Sequence, residues 1–514
     1  MKDIYQELHE KKEKLLIHNN PDRVEKMHKK GKLTAEERML GFFDKGTYLE
    51  LKPWTKNRCH DFGMSEKELG NEGVLCGYGE VDGKEVFAVA HDVRIVGGSM
   101  GEAGTDKVMN CFDKAMDAGR PLVCFSDAAG ARIQEGVGAL NAYCSTFGKT
   151  SVASGWIPQI TVASGTCAGG TAYCAAITDF IIQVDPIGKL FITGPGVIKN
   201  VTGEETTFDE IGGSNVHSTV TGLSHFIAYS EEEAFAIIRR ILSFIPPNAK
   251  EKPPKYAITD PVDRKTPEIK DIIPLNQQKG YDVKQVIKSF VDNGDFMELQ
   301  KDYATNIVIG FARMAGETVG IVANQPKVFA GVIDVNASWK SARFVRFCDS
   351  YNIPLIILAD TPGYMPGVKQ EHDGIIRNGA KLLFAFSEAT VPKITVVLRK
   401  DYGGAYSAMC GKGMGADFVL ALPTGELAIM GAEGAAAVVF KKELAAAEDK
   451  KAKMAELSKK YQETYLNPYR GAEYGIVDDI IDPSEMREAL IKRLKIVRNK
   501  PHRAPYRKHT NGPL

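Results

Sequence analysis

Two short segments of this sequence could stabilise a negative charge with main-chain amides. Residues 164–173 ("SGTCAGGTAY") and 401–409 ("DYGGAYSAM") each follow an apolar run typical of a β-strand and lead into small residues typical of a helix start. Paired glycines at such a turn leave backbone N–H groups open to a ligand. Because the first turn of a helix has unpaired N–H groups and the positive end of the helix dipole, two adjacent amides there can hold an oxyanion.

The two segments belong to an internal duplication. The stretch that begins "TVGIVANQPKVFAGVIDVNASWK" aligns without gaps with the stretch that begins "EVFAVAHDVRIVGGSMGEAGTDK". In this alignment Asp360 matches Asp127, 233 positions apart, and Gly403 follows Gly169 by 234 positions. Two copies of domain size indicate two related domains, whereas a solenoid would need several short repeats.

The glycines admit a second interpretation. Gly169, Gly170, Gly403 and Gly404 could serve only to let a helix and a strand pack closely. A single pair would favour that interpretation, but matched pairs in two duplicated domains favour an oxyanion function in each copy. Chemistry at these turns would then rest on backbone amides and on a cofactor brought from outside.

Composition excludes several classes of protein. The 514 residues are enough for two or three domains, and 65 basic residues balance 65 acidic ones. This balance gives no general attraction for nucleic acid or anionic lipid. The sequence has no signal peptide and no apolar run of membrane-spanning length, so we expect a cytoplasmic protein without direct membrane insertion.

Other residues with possible chemistry carry weaker signals. Nine cysteines include no CxxC pair, and His91, His217 and His225 have no partner at metal-ligand spacing, so no metal site is expected. The loop "GGSMGEAG" lacks the lysine of a phosphate-binding P-loop. Arg132 and Glu135 are expected to be solvated or structural, with an anion contact by Arg132 as the alternative.

The order of elements indicates an α/β protein. From residue 73 onward, apolar strands alternate with helical patterns, as in βα units, after a hairpin at "VDGKE". The spacing of Thr34 and Glu37, and of Ser230 and Glu233, predicts a capping box at the start of two helices. A proline-rich, charged stretch favours a linker over residues 256–285, which separates a first domain, 1–255, from a second, 286–514.

Nearly the whole chain resembles the carboxyltransferase subunits of biotin-dependent acyl-CoA carboxylases and decarboxylases. The resemblance rests on "FITGPGVIKNVTGEETTFDEIGGSNVH", "NRCHDFGM", "GGSMGEAG", "DAAGARIQEG", "CAGGTAY", "DTPGYMPG", "YGGAY" and "ELAIMGAEGAAAVVF", which occur in the family's order. It implies two tandem crotonase-type domains, each a ββα superhelix. It also implies a homo-hexamer with active sites between the first domain of one subunit and the second domain of another.

The resemblance implies a ligand for each turn. Gly169 and Gly170 match the family's amides for the thioester oxygen of acyl-CoA, while Gly404 and Ala405 match those for the ureido oxygen of biotin. The implied reaction needs no protein base. The family's substrate-binding residues fall on Ala129, Gly130, Ala131, Tyr173, Gly363, Tyr364 and Ser407. Many propionyl-CoA carboxylases have aspartate where this chain has Ser407, a place that shapes the acyl pocket.

The resemblance also predicts partners. The chain lacks a biotinyl "MKM" motif and an ATP-grasp-like glycine loop. Biotin should therefore be carried by a separate carrier protein, with a biotin carboxylase subunit or a sodium-pump membrane subunit completing the complex. Propionyl-CoA and methylmalonyl-CoA are the favoured substrates, and the direction of the reaction stays open.

Three alternatives stay open at this point. A glutaconyl-CoA decarboxylase α-subunit would differ in substrate and share the chemistry. A crotonase-like hydratase or isomerase would need an acid or base in the thioester pocket, for which Glu135 is the nearby candidate. A non-enzymatic scaffold would leave the two oxyanion-type turns unexplained.

Overall fold

The chain forms two compact units, Met1–Glu251 and Lys252–Leu514, in a computed structural model. The residues that the structure describes are 3–15, 21–67, 69, 71–501, 505 and 507–513. Among these residues, no helix combines the length and the apolar character needed to cross a membrane.

The first unit contains ten helices and eight strands within the described residues. They are α1 (Ile4–Lys14), α2 (Pro21–His28), α3 (Ala35–Phe42), β1 (Leu49–Glu50), β2 (Val74–Val81), β3 (Lys84–His91), α4 (Glu102–Ala118), β4 (Leu122–Ala128), α5 (Val137–Ala153), β5 (Gln159–Ala168), α6 (Gly170–Ile177), β6 (Phe180–Val184), β7 (Lys189–Phe191), α7 (Pro195–Thr202), α8 (Phe208–Gly212), α9 (Ser214–Thr219), β8 (Phe226–Ala228) and α10 (Glu231–Phe244).

The second unit contains eleven helices and eight strands within the described residues. They are α11 (Ile269–Ile272), α12 (Val283–Phe290), β9 (Phe296–Leu299), β10 (Ile307–Met314), β11 (Glu317–Asn324), α13 (Val335–Ser350), β12 (Leu355–Thr361), α14 (Val368–His372), α15 (Ile375–Glu388), β13 (Lys393–Tyr402), α16 (Gly404–Ala408), β14 (Phe418–Ala421), β15 (Glu426–Ala428), α17 (Ala432–Val439), α18 (Lys441–Ala446), α19 (Lys450–Tyr465), α20 (Pro468–Glu473), β16 (Asp479–Ile480) and α21 (Met486–Val497).

The two units share one sheet topology. In the first unit the strand order is β1-β2-β3-β4-β5-β6-β8, with β7 paired to β5; in the second it is β9-β10-β11-β12-β13-β14-β16, with β15 paired to β13. The first three strands of each sheet pair antiparallel, and every later pairing is parallel. The duplication in the sequence is therefore a duplication of architecture.

The buried strands explain why the apolar runs form these sheets. Every residue of β12, "LIILADT", is buried, and β4 and β5 are buried over most of their length. Strands of a parallel sheet that is covered on both faces carry such continuous apolar runs. Parallel β4 and β5 end side by side, and so do β12 and β13. The turns that follow them consequently lie together at one edge of each sheet.

Local signals that were expected from the sequence are largely present. The hairpin of β2 and β3 turns at residues 82–83, and Gly119 ends α4 in a left-handed conformation. Thr34 and Glu37 form the predicted capping box. At α10, Ser230 accepts from the Glu233 N–H, but the Glu233 carboxylate accepts from the Tyr229 N–H, so the reciprocal half of the box is displaced by one residue.

The proline-rich segment 256–285 packs within the second unit. The Tyr256 N–H donates to Gly316 O at 2.9 Å, and the Thr266 N–H donates to Ser484 O at 2.8 Å. Ile269 and Tyr281 belong to the buried core of that unit. The structural boundary falls between residues 251 and 252, and the functional borders at residues 255 and 286 stay predictions.

Candidate functional site

The first glycine turn joins β5 to α6. Gly169 has φ 55° and ψ −118°, a backbone conformation that strongly favours glycine. Its N–H donates to Phe191 O of β7 at 3.0 Å, and its carbonyl accepts from the Ala172 N–H at 3.1 Å. Gly169 thus turns the chain, and both its N–H and its carbonyl are hydrogen-bonded to the main chain.

The second glycine turn joins β13 to α16 and repeats this geometry. Gly403 has φ 57° and ψ −132°. Its N–H donates to Ala428 O of β15 at 2.8 Å, and its carbonyl accepts from the Tyr406 N–H at 3.2 Å. The two turns therefore share their backbone angles and their hydrogen-bond pattern, in addition to their sequence.

Two adjacent amides follow each turn without a partner. In the described part of the chain, the N–H groups of Gly170 and Thr171 make no hydrogen bond, and neither do those of Gly404 and Ala405. Unpaired amides in the first turn of a helix are the donors that an oxyanion needs. The geometry thus favours the N–H groups of Gly170 and Thr171 as the oxyanion donors. The N–H of Gly169, which was predicted from the sequence to act with that of Gly170, already donates to Phe191 O.

Ala129, Gly130 and Ala131 lie beside the first turn. They follow β4, where Ala128 pairs with Cys167 of β5. A Cβ built on Gly130 would stand 3.3 Å from Ala168 O, so this loop approaches the end of β5 closely. The Met100 N–H donates to Gly130 O at 3.0 Å and fixes the loop.

Gly363 and Tyr364 occupy the corresponding place in the second unit. The Ile333 N–H donates to Gly363 O at 3.1 Å, which matches the bond from Met100 to Gly130. The ring of Tyr364 faces Gly404, and burial raises the pKa of its hydroxyl to about 12. Tyr364 is therefore a neutral phenol in the wall of the second turn.

The last two predicted residues lie on the helices that follow the turns. Tyr173 lies on α6, about half exposed, with its ring edge-on to Phe147. Ser407 lies on α16 and is half-buried. Within each unit the structure thus brings the predicted residues together around one turn.

Charged groups are buried beneath the first turn. Lys32 Nζ lies 2.9 and 3.1 Å from the two carboxylate oxygens of Asp127, near the end of β4. Arg38, fully buried, donates to both oxygens of Glu231 at 2.6 and 3.0 Å and to Ser164 O at 3.1 Å. These contacts fasten α3 and α10 to the strands that carry the turn.

The matching position in the second unit also carries a buried ion pair. Asp360 accepts from Arg399 Nε and from the Tyr281 hydroxyl, both at 2.8 Å. Burial and the carboxylate of Asp360 raise the pKa of Tyr281 far above its usual range. Asp127 and Asp360 therefore anchor the two sheets at equivalent points with different partners.

Arg132 and Glu135 form a structural network. Arg132 is fully buried and donates to Glu72, to Ser99 O at 2.8 Å and to Glu135 Oε1 at 3.0 Å. The other oxygen of Glu135 accepts from the Glu102 N–H at 2.7 Å, at the start of α4. The structural interpretation of this pair is confirmed, and Glu135 is held by a cation and an amide.

The histidines have ordinary hydrogen-bonded roles. His91 is buried, and this burial lowers its pKa to about 4, so the ring is neutral at physiological pH. His217 contacts Leu190 O and Thr221, and His225 accepts from the Ile181 N–H. No cluster of three or more potential metal ligands occurs among the residues that the structure describes.

Asp401 is a buried acid beside the second turn that the sequence pattern does not single out. This residue is fully buried at the end of β13, two positions before Gly403, and neither carboxylate oxygen has a hydrogen-bond partner within the described chain. Burial, reinforced by the nearby Asp360, raises its pKa to about 8. In the first unit the equivalent strand position is Cys167, whose thiol donates to Ser126 O at 3.3 Å.

Comparison with known proteins identifies the family of this chain. The model of the carboxyl transferase domain matches residues 26–512. The chain is 48% identical over 514 residues to the carboxyltransferase subunit of propionyl-CoA carboxylase from Haloferax mediterranei, covering 100% of both chains. It is 48% identical over 507 residues to the methylmalonyl-CoA decarboxylase subunit alpha of Veillonella parvula, covering 99% of this chain and 98% of the relative.

A solved structure shares the fold over the same length. Transcarboxylase 12S, described as a hexamer assembly with methylmalonyl-CoA and methylmalonic acid bound, superposes with a TM-score of 0.96 at 46% identity. The match covers 99% of this chain and 98% of that one. The expected pair of duplicated crotonase-type domains is thereby confirmed.

Proposed function

The chain belongs to the carboxyl transferase family of biotin-dependent acyl-CoA enzymes, and we propose that it transfers a carboxyl group between biotin and propionyl-CoA or methylmalonyl-CoA. The observation that carries the proposal is the repetition of one turn, with two unpaired amides, at the same edge of two equivalent sheets. A transfer between two carbonyl-type groups needs two such sites, since negative charge develops on the oxygen of each in turn.

The two amide pairs have different ligands in this proposal. Gly170 and Thr171 hold the thioester oxygen of acyl-CoA, and Gly404 and Ala405 hold the ureido oxygen of biotin. Gly169 and Gly403 set the backbone direction from which those amides point. Because the donors are fixed by the sheet before the substrate arrives, no reorganisation opposes the build-up of charge.

Biotin, when bound, supplies the carboxyl group and the base that the reaction needs. The residues of this chain bind, orient and stabilise charge. Of the two carboxyl groups near the turns, Glu135 is bound to Arg132 and to the Glu102 amide, and Asp401 is fully buried away from any substrate. Enolate stabilisation by amides is the chemistry that remains.

Substrate binding and specificity fall to the residues around the turns. Ala129, Gly130, Ala131 and Tyr173 would line the acyl-CoA side, and Gly363, Tyr364 and Ser407 the other side and the acyl pocket. The functional domains would be residues 1–255 for acyl-CoA and 286–514 for biotin. Ser407 is the residue at which we expect acyl selectivity to be set.

The assembly is part of the proposal. This chain would be cytoplasmic and biotin would be carried by a separate carrier protein, with a biotin carboxylase subunit or a sodium-pump membrane subunit completing the complex. The hexamer described for transcarboxylase 12S supports a homo-hexamer here. Light scattering should then give six times the chain mass of 56.2 kDa, and an active monomer would contradict this assembly.

One experiment tests the reaction and its alternatives together. The purified protein is incubated with free biotin and one CoA ester at a time. The esters are methylmalonyl-CoA, malonyl-CoA, glutaconyl-CoA and crotonyl-CoA. Biotin-dependent decarboxylation of methylmalonyl-CoA is the expected result. Preference for glutaconyl-CoA would favour the glutaconyl-CoA decarboxylase alternative, and hydration of crotonyl-CoA would favour a hydratase. Turnover of none of them would contradict the proposal.

A further inference from the structure

One tyrosine contacts both residues of the first amide pair. Tyr143 lies on α5 and is 6% exposed. A Cβ built on Gly170 would stand 2.5 Å from Tyr143 Cδ1 and 2.8 Å from Cε1, so the ring lies directly against the Gly170 backbone. The hydroxyl of the same side chain lies 2.8 Å from Thr171 Oγ1. A single side chain therefore holds Gly170 by packing and Thr171 by a hydrogen bond.

The environment keeps this hydrogen bond intact. Both hydroxyl groups are buried, and burial raises the pKa of Tyr143 above its usual range, so the phenol stays neutral. Thr171 is β-branched, which leaves its χ1 few allowed values. Fixing its hydroxyl therefore restricts the rotamer and, with it, the backbone that presents the Thr171 N–H.

The second turn is built differently at this point. Ala405 stands where the first unit has Thr171, 234 positions earlier, and has no hydroxyl. The ring near Gly404 belongs to Tyr364, from the loop after β12, and its hydroxyl lies 3.5 Å from Gly379 O. The link between a tyrosine and the second amide residue is thus a feature of the first turn alone.

We propose that Tyr143 is a positioning residue for the acyl-CoA half of the reaction, acting through the Thr171 hydroxyl to aim the amides of Gly170 and Thr171. The inference rests on the proposed function of these amides. Oxyanion donors act within a few tenths of an ångström of their productive position. Loosening Thr171 should therefore weaken transition-state stabilisation more than it weakens binding of the CoA portion.

Conservative variants of the full-length protein test this role. Tyr143→Phe keeps the ring against Gly170 and removes the hydroxyl; Thr171→Val removes the other hydroxyl and keeps the amide. With methylmalonyl-CoA and free biotin, each should lower kcat by up to about tenfold, the range of one hydrogen bond, at an unchanged KM. The double variant should be no slower than either single variant, because both remove one interaction.

Tyr48→Phe is the matched control. The Tyr48 hydroxyl is also buried in the first unit but has no hydrogen-bond partner among the described residues, so its removal should leave kcat unchanged. A Tyr143→Phe variant with wild-type kcat, losses that add in the double variant, or a KM that rises as kcat falls would overturn the positioning role alone. A wild-type protein without biotin-dependent decarboxylation would overturn the proposed function and this inference together.

Discussion

Tyr364 faces Gly404 at ordinary van der Waals distance: a Cβ built on Gly404 would stand 3.4 Å from Tyr364 Cδ2. The equivalent Cβ on Gly170 would stand 2.5 Å from the ring of Tyr143, which is closer than non-bonded carbon atoms approach each other in proteins. The two turns have similar backbone angles, but only the second has room for a Cβ atom at its second glycine.

This difference predicts opposite outcomes for one substitution. Gly170→Ala must displace the Tyr143 ring or the start of α6, and we expect a rate loss on the order of 10²- to 10³-fold, as for the loss of an oxyanion donor. Gly404→Ala should retain activity within a few fold. The measurement is decarboxylation of methylmalonyl-CoA, with circular dichroism to confirm folding.

Gly148→Ala is the control for these two variants. Gly148 lies on α5, and a Cβ there would meet nothing within 4 Å, so alanine should keep activity and stabilise the helix slightly. Equal losses in the Gly170 and Gly404 variants would show that the ring distances do not govern the turns.

Ala405→Pro tests the second amide pair. Proline removes the Ala405 N–H, which has no partner in the described structure, so the substitution sacrifices no main-chain hydrogen bond of α16. Transfer to biotin should fall at least 10²-fold, while calorimetry still detects acyl-CoA binding. Ala405→Gly keeps the amide and should stay active. Loss of acyl-CoA binding in a folded Ala405→Pro variant would reverse our assignment of the two turns.

The sequence revealed the turns because glycine is required at particular backbone angles. Positive φ with ψ near −120° at residues 169 and 403 strongly favours glycine, so the chemistry left a visible pattern. No sequence pattern shows which amides at the turn are free of a hydrogen-bond partner. The Gly169 N–H is occupied by Phe191 O, a residue 22 positions later on a separate strand, and this pairing is a property of the sheet. The sequence therefore predicted Gly169 with Gly170, and Thr171 enters only through the geometry of the turn.

Buried charges escaped prediction for a related reason. Arginine is almost never fully buried unless it is paired, and the pairing partner of Arg132 is Glu72, 60 residues earlier. The contact of Tyr143 with Gly170 likewise arises from the packing of α5 on α6. Local spacing predicted strands, caps and turns, whereas the partners across elements emerged only from the fold.

Glu231 should be critical for the stability of the first unit. Its carboxylate is buried and accepts from Arg38 and from the Leu33 N–H at 2.8 Å. Glu231→Ala leaves the Arg38 guanidinium with a longer ion pair to Asp127, at 3.7 Å. We expect the free energy of unfolding, measured with urea, to fall by on the order of 3 kcal/mol. Glu232→Ala, at the exposed neighbouring position, should lower the free energy of unfolding by less than about 1 kcal/mol. Similar losses in both variants would contradict the prediction.

Two aspartates of the second unit should give opposite dependences of stability on pH. Burial, followed by repulsion from Asp360, raises the pKa of Asp401 from 3.8 to about 8, so folding favours its protonated form. Hydrogen bonds from Lys270 and Ser484 lower the pKa of Asp482 to about 2, so folding favours its ionised form. Asp482 stabilises the fold above pH 3.8 and loses this contribution as the pH falls through 2.

Asp401 has the reverse sign. Its contribution is complete below its unfolded pKa of 3.8 and is lost as the pH rises through the folded pKa of about 8, because the unfolded chain releases its proton first. Asparagine cannot ionise, so the stability of Asp401→Asn relative to wild type should rise steadily between pH 4 and pH 8. Asp482→Asn should instead be less stable than wild type by a constant amount over that interval. Unfolding midpoints at pH 5, 6.5 and 8 measure both trends, and parallel pH profiles for wild type and Asp401→Asn would show that the buried carboxyl is ionised in the folded protein.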